Sequence, residues 1–291
     1  MALWMKLTSR LEQATVLDPI ANAYVKLANV VLPEGRFKDV LHGTWLGHPV
    51  HPLLVALPIG MWSSASLLDL TGGKGSRRAA QTLVGAGLLS VLPAAATGSA
   101  DLSQVGAFQR PKRVGLVHAV ANSATSLVYL ASWQARRSGN EARGRRLALL
   151  GAGGLVVGGY LGGHLAYAEG VGVNRNADEQ KQPRDWTDID GDVSTLGVGE
   201  LRRVEVAGQQ VLLARTAAGF QAIGAVCSHY GAPLEDGAVT GEEDPCVVCP
   251  WHGSTFRLRD GGVARGPASV PQLSYEVRTS GPGRLQLRVR R

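Results

Sequence analysis

The chain has 291 residues, of which 45% are hydrophobic and only 18% are charged. It is long enough for two domains and unusually apolar for a protein that is soluble throughout. Residues 1–184 carry 19 Lys or Arg against 10 Asp or Glu, whereas residues 185–291 carry 11 against 13. The basic excess flanks apolar runs, and no pattern of stacking aromatic residues accompanies it. It therefore indicates a lipid bilayer, and not a nucleic acid, as the partner.

Residues 1–47 precede the long apolar runs and are predicted to form an N-terminal segment of their own. Residues 1–41 are amphipathic, which is typical of one or two helices lying at a membrane interface. Pro19 and Pro33 predict the breaks in this segment. Residues 1–16 lack the continuous apolar stretch of a cleavable signal peptide.

The next part of the chain, residues 48–170, is predicted to be a four-helix transmembrane domain. A spanning helix needs about 20 apolar residues, and the short connections between the segments predict an up-down-up-down bundle. In the fourth segment the pairs Gly154/Gly158, Gly158/Gly162 and Gly159/Gly163 have a spacing that lets a neighbouring backbone approach closely. Plain helix packing and clearance for a flat cofactor both explain these glycines. The four apolar segments are 52–70, 79–102, 114–134 and 147–168.

Ionisable residues gather at one end of the predicted bundle, the end at which the first spanning helix begins; we call it side A. Such residues are costly inside a membrane, so each is a candidate functional residue. Polar stripes at helical spacing extend below them and are expected to face the bundle interior. The side-A residues are His48, His51, Asp101, His118 and His164, and the stripes are Ser90/Thr97/Asp101, His118/Asn122/Thr125/Tyr129 and Tyr160/His164/Tyr167.

Three interpretations of the side-A residues remain open. His51, Asp101, His118 and His164 could ligate a b-type haem or a non-haem metal, or they could form a hydrogen-bonded network beside a quinone or proton path. The sequence has no Cys-x-x-Cys-His, which excludes covalently attached c-type haem.

The sequence around the first spanning helix resembles a family of uncharacterised bacterial four-helix membrane domains. The resemblance lies in LHGTWLGHPVHPL at 41–53, LPIG at 57–60 and GGHLAY at 162–167, with GVN at 172–174, and it covers roughly residues 20–175. It implies the architecture and brings no reaction with it.

Residues 171–184 are polar and are predicted to be a linker, and residues 185–291 are predicted to be an all-β domain. Short β-rich runs alternate there with Gly, Asp and Pro turns. The predicted fold class is therefore an α+β multidomain protein, with an N-terminal transmembrane four-helix bundle and a C-terminal all-β domain. The runs are 202–206, 210–215, 220–226, 255–258, 274–278 and 285–289.

Two short motifs in the β domain predict a metal site: Cys227-Ser-His229 and, further along, Cys249-Pro-Trp-His252. Thiolates bind soft metals such as iron, and imidazoles bind borderline ones. A structural Cys2His2 zinc site uses the same residues, although zinc fingers place both His after both Cys. Cys246 is left over and is expected to be a buried strand residue.

The flanks of these motifs, HYGAPL at 229–234 and CPWHGSTF at 249–256, resemble the two cluster loops of the Rieske [2Fe–2S] family. The resemblance implies that Cys227 and Cys249 hold one iron, while His229 and His252 hold the outer, redox-active iron. Some members of the four-helix family are similarly fused to a Rieske domain. High-potential Rieske domains add a disulfide at positions matching Ala232 and Trp251, and a Tyr at the position of Phe256. Ser254 matches their other hydrogen-bond donor.

These features predict a membrane-anchored iron–sulfur protein that transfers single electrons. Its partners would be a redox protein or a quinone, together with the bilayer. The alternatives are a quinol-oxidising oxidoreductase, the electron-supply component of an oxygenase, and a redox sensor or scaffold without turnover.

The loop charges predict that the β domain is extracytoplasmic. The loops opposite side A, which we call side B, carry eight Lys or Arg against three in the side-A loop, and the positive-inside rule places side B in the cytoplasm. Arg145-Arg146 also resembles a twin-arginine signal, although an ordinary basic helix flank has the same composition. The side-B residues are Lys74, Arg77, Arg78, Arg136, Arg137, Arg143, Arg145 and Arg146.

Overall fold

The computed structural model describes residues 3–177, 183–190 and 193–290, and the chain divides into two compact units. The first unit comprises Met1–Pro33 with Val50–Val171, and the second comprises Glu34–Pro49 with Gly172–Arg291. Long helices fill the first unit and β-sheets the second, which confirms the predicted fold class. The middle of the predicted linker, residues 178–182, lies outside the described residues.

The four predicted spanning helices are present, and each is long and apolar enough to cross a membrane. They end where the sequence has helix-stopping residues. Between the last two, Gly139 adopts a φ of 80°, and the Asn140 side chain accepts a hydrogen bond of 3.1 Å from the backbone N–H of Arg143. In chain order the helices are α1 (Leu3–Gln13), α2 (Asp18–Val31), α3 (Arg36–His42), α4 (His51–Thr71), α5 (Arg77–Ser103), α6 (Gln109–Arg137) and α7 (Glu141–Tyr167).

Helices α6 and α7 fit together by placing the polar stripe of α6 over glycines of α7. A Cβ atom added at Gly154 would lie 2.2 Å from Thr125 Oγ1, and one at Gly158 would lie 2.3 Å from Asn122 Oδ1. The absence of a side chain at these positions lets the two backbones approach. The α6 side chains fill the space that the glycines leave, so this seam serves helix packing. The pairs are Tyr129/Gly151, Thr125/Gly154, Asn122/Gly158 and His118/Gly162.

The side-B end of the bundle is closed by a buried ion pair between Asp69 of α4 and Arg136 of α6. Arg136 Nη1 lies 3.0 Å from Asp69 Oδ1, and both side chains are almost fully buried. Pairing is required here because an isolated charge in this position would be very costly. Beside it, the rings of Trp62 and Tyr129 stack with their centroids 4.0 Å apart.

Helices α1 and α2 pack against the side-A ends of the spanning helices. Arg113 Nη2 at the start of α6 lies 2.8 Å from Asp18 Oδ2 of α2, and Lys112 Nζ lies 3.1 Å from Asn22 Oδ1. Tyr24 of α2 also hydrogen-bonds Ser99 of α5 at 2.8 Å. The cations of the side-A loop thus have partners on the N-terminal helices.

The second unit contains two antiparallel sheets. The larger has the strand order β1-β10-β9-β4-β3-β2, and the smaller has the order β5-β6-β7-β8. The predicted runs correspond to β2, β3, β4, β7, β9 and β10, while the prediction missed the remaining strands, which have two or three residues each. The strands are β1 (Thr187–Asp188), β2 (Leu201–Val206), β3 (Gln209–Thr216), β4 (Gly219–Gly224), β5 (Ala238–Thr240), β6 (Cys246–Val248), β7 (Thr255–Arg257), β8 (Val263–Arg265), β9 (Ser274–Gly281) and β10 (Arg284–Val289).

Strand β3 separates two hydrophobic cores, because successive side chains of a strand point to opposite faces. Leu212 and Ala214 belong to a core that also contains Cys227 and Cys249. Val211 and Leu213 belong to the core on the other face. The first core therefore packs against the two cysteine loops.

The fit of α6 against α7 generates a testable difference between two adjacent glycines. Gly154→Ala places a Cβ 2.2 Å from Thr125 Oγ1, and overpacking of this kind costs about 1–3 kcal/mol. We expect it to lower the thermal unfolding midpoint of the detergent-solubilised protein. Gly153→Ala is the matched control, because its Cβ meets no atom within 4 Å. Equal midpoints for the two variants would contradict the packing described here.

Candidate metal centre

The first cysteine loop follows β4 and is closed by backbone hydrogen bonds. The N–H of Cys227 donates to the carbonyl of Ala232 at 2.8 Å, and the N–H of Gly231 donates to the carbonyl of Cys227 at 2.9 Å. Gly231 has a φ of 78°, a left-handed conformation that favours glycine. The turn places His229 and Tyr230 at its tip.

The second loop follows β6 and repeats this geometry. The N–H of Cys249 donates to the carbonyl of Ser254 at 2.8 Å, and the N–H of Gly253 donates to the carbonyl of Cys249 at 3.1 Å. Gly253 has a φ of 74°. In both loops a left-handed glycine follows the cysteine by four residues, which explains why each motif carries a glycine at that place.

The two cysteine side chains meet in the buried space between the loops. Both are free thiols with at most 2% of the residue exposed, and their sulfur atoms hydrogen-bond to each other. Backbone N–H groups of His229 and Tyr230 point at the Cys227 sulfur, and those of Trp251 and His252 point at the Cys249 sulfur.

This environment shifts the pKa values of the two thiols in opposite directions. The hydrogen bond from Cys227, helped by the backbone N–H groups, lowers the pKa of Cys249 despite burial. The same hydrogen bond, together with burial, raises the pKa of Cys227. The N–H groups therefore already favour a negative sulfur at this position.

The two imidazoles lie on the outer side of the cysteines, with ring centroids 5.0 Å apart and planes at 89°. Burial, followed by the nearby His252, lowers the pKa of His229 to about 3, and burial also lowers the pKa of His252. Both rings are neutral at pH 7, the form that ligates metals. His229 Nδ1 is buried without a hydrogen-bond partner among the described residues, as expected of a nitrogen reserved for a metal. The four donors thus fit a cluster bound by two sulfurs and two nitrogens.

Three of the neighbouring positions named from the sequence are buried. Ser254 is fully buried, and its Oγ accepts a hydrogen bond of 2.9 Å from the backbone N–H of Ala268. That contact leaves its hydroxyl proton for another acceptor. Phe256 and Ala232 are buried in the core beneath the loops, whereas Trp251 is 49% exposed. Cys246 is half-buried in β6.

The side-A candidates of the helical unit do not form one constellation. His51 Nδ1 lies 2.9 Å from the Ala94 carbonyl oxygen and 3.2 Å from Thr97 Oγ1. His118 contacts Asn122 and is near enough to His51 for their charges to interact. Asp101 is half-buried, and His48 belongs to the second unit. Tyr167 was expected to face the bundle interior, but it is 91% exposed.

His164 is engaged elsewhere, in a group that the sequence did not indicate. Its Nε2 lies 2.7 Å from Glu12 Oε1 and 4.0 Å from Glu169 Oε1. Arg110 joins the same two carboxylates, at 2.7 Å from Glu12 and 3.2 Å from Glu169. Glu12 is on α1 and Glu169 follows α7, so only the folded chain brings them together.

Comparison with known protein families identifies both parts of the chain. Residues 47–175 match the family described as "Predicted membrane protein (DUF2231)". Residues 186–278 match the family described as "Rieske [2Fe-2S] domain". This second match covers both cysteine loops.

Two curated proteins are similar to part of this chain. The 3-phenylpropionate/cinnamic acid dioxygenase ferredoxin subunit of Escherichia coli (strain K12) is 32% identical over 89 residues, which are 31% of this chain and 81% of that protein. Apoptosis-inducing factor 3 of Homo sapiens is 39% identical over 86 residues, which are 30% of this chain and only 14% of that protein.

A solved structure is also similar to part of the chain. A complex of reduced oxygenase and oxidized ferredoxin in carbazole 1,9a-dioxygenase is 29% identical, with a TM-score of 0.30, and the match covers 33% of this chain and 95% of that chain. Through residues 186–278 the chain belongs to the Rieske [2Fe–2S] family, and a DUF2231 predicted membrane domain precedes that part.

Proposed function

We propose that this protein is a membrane-anchored carrier of single electrons, whose cluster is held by Cys227, Cys249, His229 and His252. The observation that carries the proposal is the convergence of two buried sulfurs and two neutral imidazoles on paired loops of a Rieske domain. A Rieske domain implies a [2Fe–2S] cluster, which supplies a one-electron redox couple when bound. The cysteines would hold one iron and the histidines the other.

The chain's own groups have defined roles in this proposal. The backbone N–H groups that point at the two sulfurs stabilise negative charge there, and burial keeps both imidazoles neutral. His252 lies between exposed residues, Trp251 and Gly253, which gives its ring a short path to the protein surface. We assign electron exchange with a partner to this side of the site.

Rieske ferredoxins pair with oxygenases, and the similarity to a dioxygenase ferredoxin subunit supports an electron-supply role. A self-contained oxygenase would need a further mononuclear iron, commonly held by two His and a carboxylate. Residues 185–291 contain no His besides His229 and His252. Oxidation of a quinol at the membrane remains the second candidate, favoured by the spanning helices, and a sensor without turnover is the third.

The finer question is whether the bundle holds a cofactor of its own. Haem gains no support, because α6 side chains occupy the glycine face of α7 and because His118 and His164 contact different groups. Glu12, His164 and Glu169 are residue types that could hold a non-haem metal. Arg110, however, already joins both carboxylates. We infer that this group is an ion-pair network that fastens α1 to α6 and α7.

We also infer that side B faces the cytoplasm and that the Rieske domain is extracytoplasmic. Of the eight side-B cations, Arg136 is buried in its pair with Asp69 and the other seven are exposed. The three side-A loop cations, Arg110, Lys112 and Arg113, have partners on α1 or α2. The excess of exposed, unpaired positive charge on side B over side A is therefore larger than the residue counts of eight and three indicate. This excess favours the proposed orientation.

The cluster assignment predicts two irons and two sulfides per chain in protein purified without oxidative damage. His229→Ala and Cys249→Ser should each abolish the electron paramagnetic resonance signal of the reduced cluster, because each removes a ligand. Cys246→Ser is the matched control and should retain the signal. Stoichiometric zinc in protein made with adequate iron would contradict the assignment.

The surroundings of the cluster predict a midpoint potential in the lower half of the roughly −150 to +300 mV Rieske range. Ala232 and Trp251 cannot form a disulfide, and Phe256 cannot donate a hydrogen bond to a sulfur, whereas Ser254 can. Each such hydrogen bond stabilises the more negative, reduced cluster. Phe256→Tyr should therefore raise the potential and Ser254→Ala should lower it, as measured by redox titration. A wild-type value near the top of the range would show that these positions do not control it.

The orientation predicts that alkaline phosphatase fused after the C-terminus is active, because that enzyme requires export. The same enzyme fused within residues 138–140, between α6 and α7, should be inactive. The reverse pattern of activities would place side A in the cytoplasm.

A further inference from the structure

Two stretches of chain outside the Rieske match belong to the same compact unit as the Rieske domain. In the first, Asp39 of α3 accepts hydrogen bonds from Arg265 Nε at 2.8 Å and from the backbone N–H of Gly266 at 2.9 Å, at the end of β8. The second, residues 172–176, follows α7 and contacts the first cysteine loop; we call it the strap. The sequence predicts a linker over 171–184, but the strap is packed against the Rieske fold.

The strap is hydrogen-bonded to the carbonyl groups on both sides of Cys227. The backbone N–H of Arg175 donates to the Ser228 carbonyl at 3.1 Å. Asn176 Nδ2 donates to the Val226 carbonyl at 2.6 Å. Both carbonyls therefore have a partner that lies outside the Rieske match, and the backbone of Cys227 is restrained through both of its neighbours.

Asn176 is a buried amide, with only 8% of the residue exposed. Its Nδ2 also lies 2.5 Å from Oε1 of Gln272, a residue that is 3% exposed. Its backbone N–H donates to Asn174 Oδ1 at 2.9 Å, a contact within the strap. Breaking such contacts would leave buried polar groups without partners, which is costly. The strap is therefore anchored to the Rieske fold at this residue.

Arg175 extends from the strap over the tip of the same loop. Its guanidinium carbon lies 5.6 Å from the centroid of the Tyr230 ring, within the range of a cation–π contact. A Cβ atom added at Gly231 would lie 3.9 Å from Arg175 Cγ, so the stem of the arginine also follows the loop. The centroid of the Tyr230 ring is 4.7 Å from that of His229 and 5.7 Å from that of His252. A positive charge is thus held beside the aromatic ring that contacts both histidine ligands.

A positive charge at this place favours the reduced form of a cluster bound by the two loops. Reduction adds one negative charge to the metal centre, and a nearby cation stabilises the product of that step. Water and salt screen the interaction only in part, because the cysteines and the core beneath them are buried. The charge of Arg175 is therefore expected to raise the midpoint potential.

We propose that the strap holds the first cysteine loop in place, with Asn176 as its positioning residue, and that it carries the charge of Arg175, which raises the midpoint potential of the cluster. The inference deepens the proposed function and rests on it. Arg175 is the last residue of the DUF2231 match. The part of the chain that tunes the cluster is therefore supplied from the membrane-domain side of the fusion.

The first test measures the midpoint potential of full-length protein in detergent by redox titration. Arg175→Gln removes the charge but keeps the backbone N–H that bonds to Ser228. It should lower the equilibrium constant for reduction about threefold, which is about 28 mV for one electron. Arg175→Lys keeps the charge and should retain most of the wild-type potential. Arg284→Gln is the matched control and should leave the potential unchanged, because Arg284 begins β10 and the adjacent Leu285 packs in the core on the other face of β3.

The second test uses hydrogen–deuterium exchange to compare opening of the first cysteine loop, 227–233, with opening of the second, 249–254. Asn176→Ala should speed exchange in the first loop about tenfold, the factor that corresponds to about 1.4 kcal/mol, and leave the second loop unchanged. Gln286→Ala is the matched control, because it removes side-chain amide hydrogen bonds of the larger sheet and should change neither loop. If Asn176→Ala protein does not accumulate, Asn176→Ser, which keeps a smaller polar group in the buried site, provides the same measurement.

The outcomes separate this inference from the function on which it rests. An unchanged potential in cluster-loaded Arg175→Gln protein would overturn the role of the charge, and so would an Arg175→Lys potential as low as that of Arg175→Gln. Wild-type exchange after substitution of Asn176 would overturn the strap, as would equal acceleration in both loops, since that would indicate general loosening. A wild-type protein without a [2Fe–2S] signal would instead overturn the proposed function, and the exchange result, which needs no cluster, would still report on the strap.

Discussion

The hydrogen bonds that direct backbone N–H groups at two buried sulfur atoms are the interaction on which the metal centre depends. Each loop turns tightly enough to aim two consecutive N–H groups at its cysteine, and a left-handed glycine makes each turn possible. The core under the loops, reached from one face of β3, keeps water away from the sulfurs. Low dielectric and preorganised dipoles thus favour charge on sulfur while leaving the imidazoles neutral. The need to aim these N–H groups at sulfur therefore constrains the loop sequences, as the identity of the ligands does.

The helical unit must bury polar side chains in a region from which water is absent. It does so locally, by placing the polar stripe of α6 over glycines of α7 and by pairing Asp69 with Arg136. The arrangement accounts for most of the polar residues without invoking a ligand. The side-A loop cations are likewise engaged by α1 and α2, which bring Glu12, Asp18 and Asn22 to Arg110, Arg113 and Lys112 of α6. The N-terminal helices therefore supply polar and charged partners for cations at the side-A end of the bundle.

Much of this organisation could be predicted from the sequence because its signals are strong and local. Four apolar segments of spanning length predicted α4–α7, and the cysteine–histidine spacing predicted which loops would converge. The rest could not be predicted, because it depends on contacts between distant residues. Glu12 lies in an ordinary amphipathic helix, and only the fold brings it to His164. The sequence of α3 predicts that its polar residues face solvent. Asp39 instead contacts Arg265 and Gly266, which are more than 200 residues away in the chain. The strands of two or three residues carry too few side chains to show a periodic pattern.

The pairing of Asp39 with Arg265 links residues 226 positions apart, and all four spanning helices lie between them. Two groups that touch in water must be on the same side of a bilayer, so the chain between them crosses it an even number of times. The contact thus restricts the topology: it is compatible with four crossings and incompatible with any arrangement in which exactly one of the helices α4–α7 fails to cross the membrane. It also sets an order in synthesis, since α3 leaves the ribosome before α4–α7 and its partner Arg265 leaves after them.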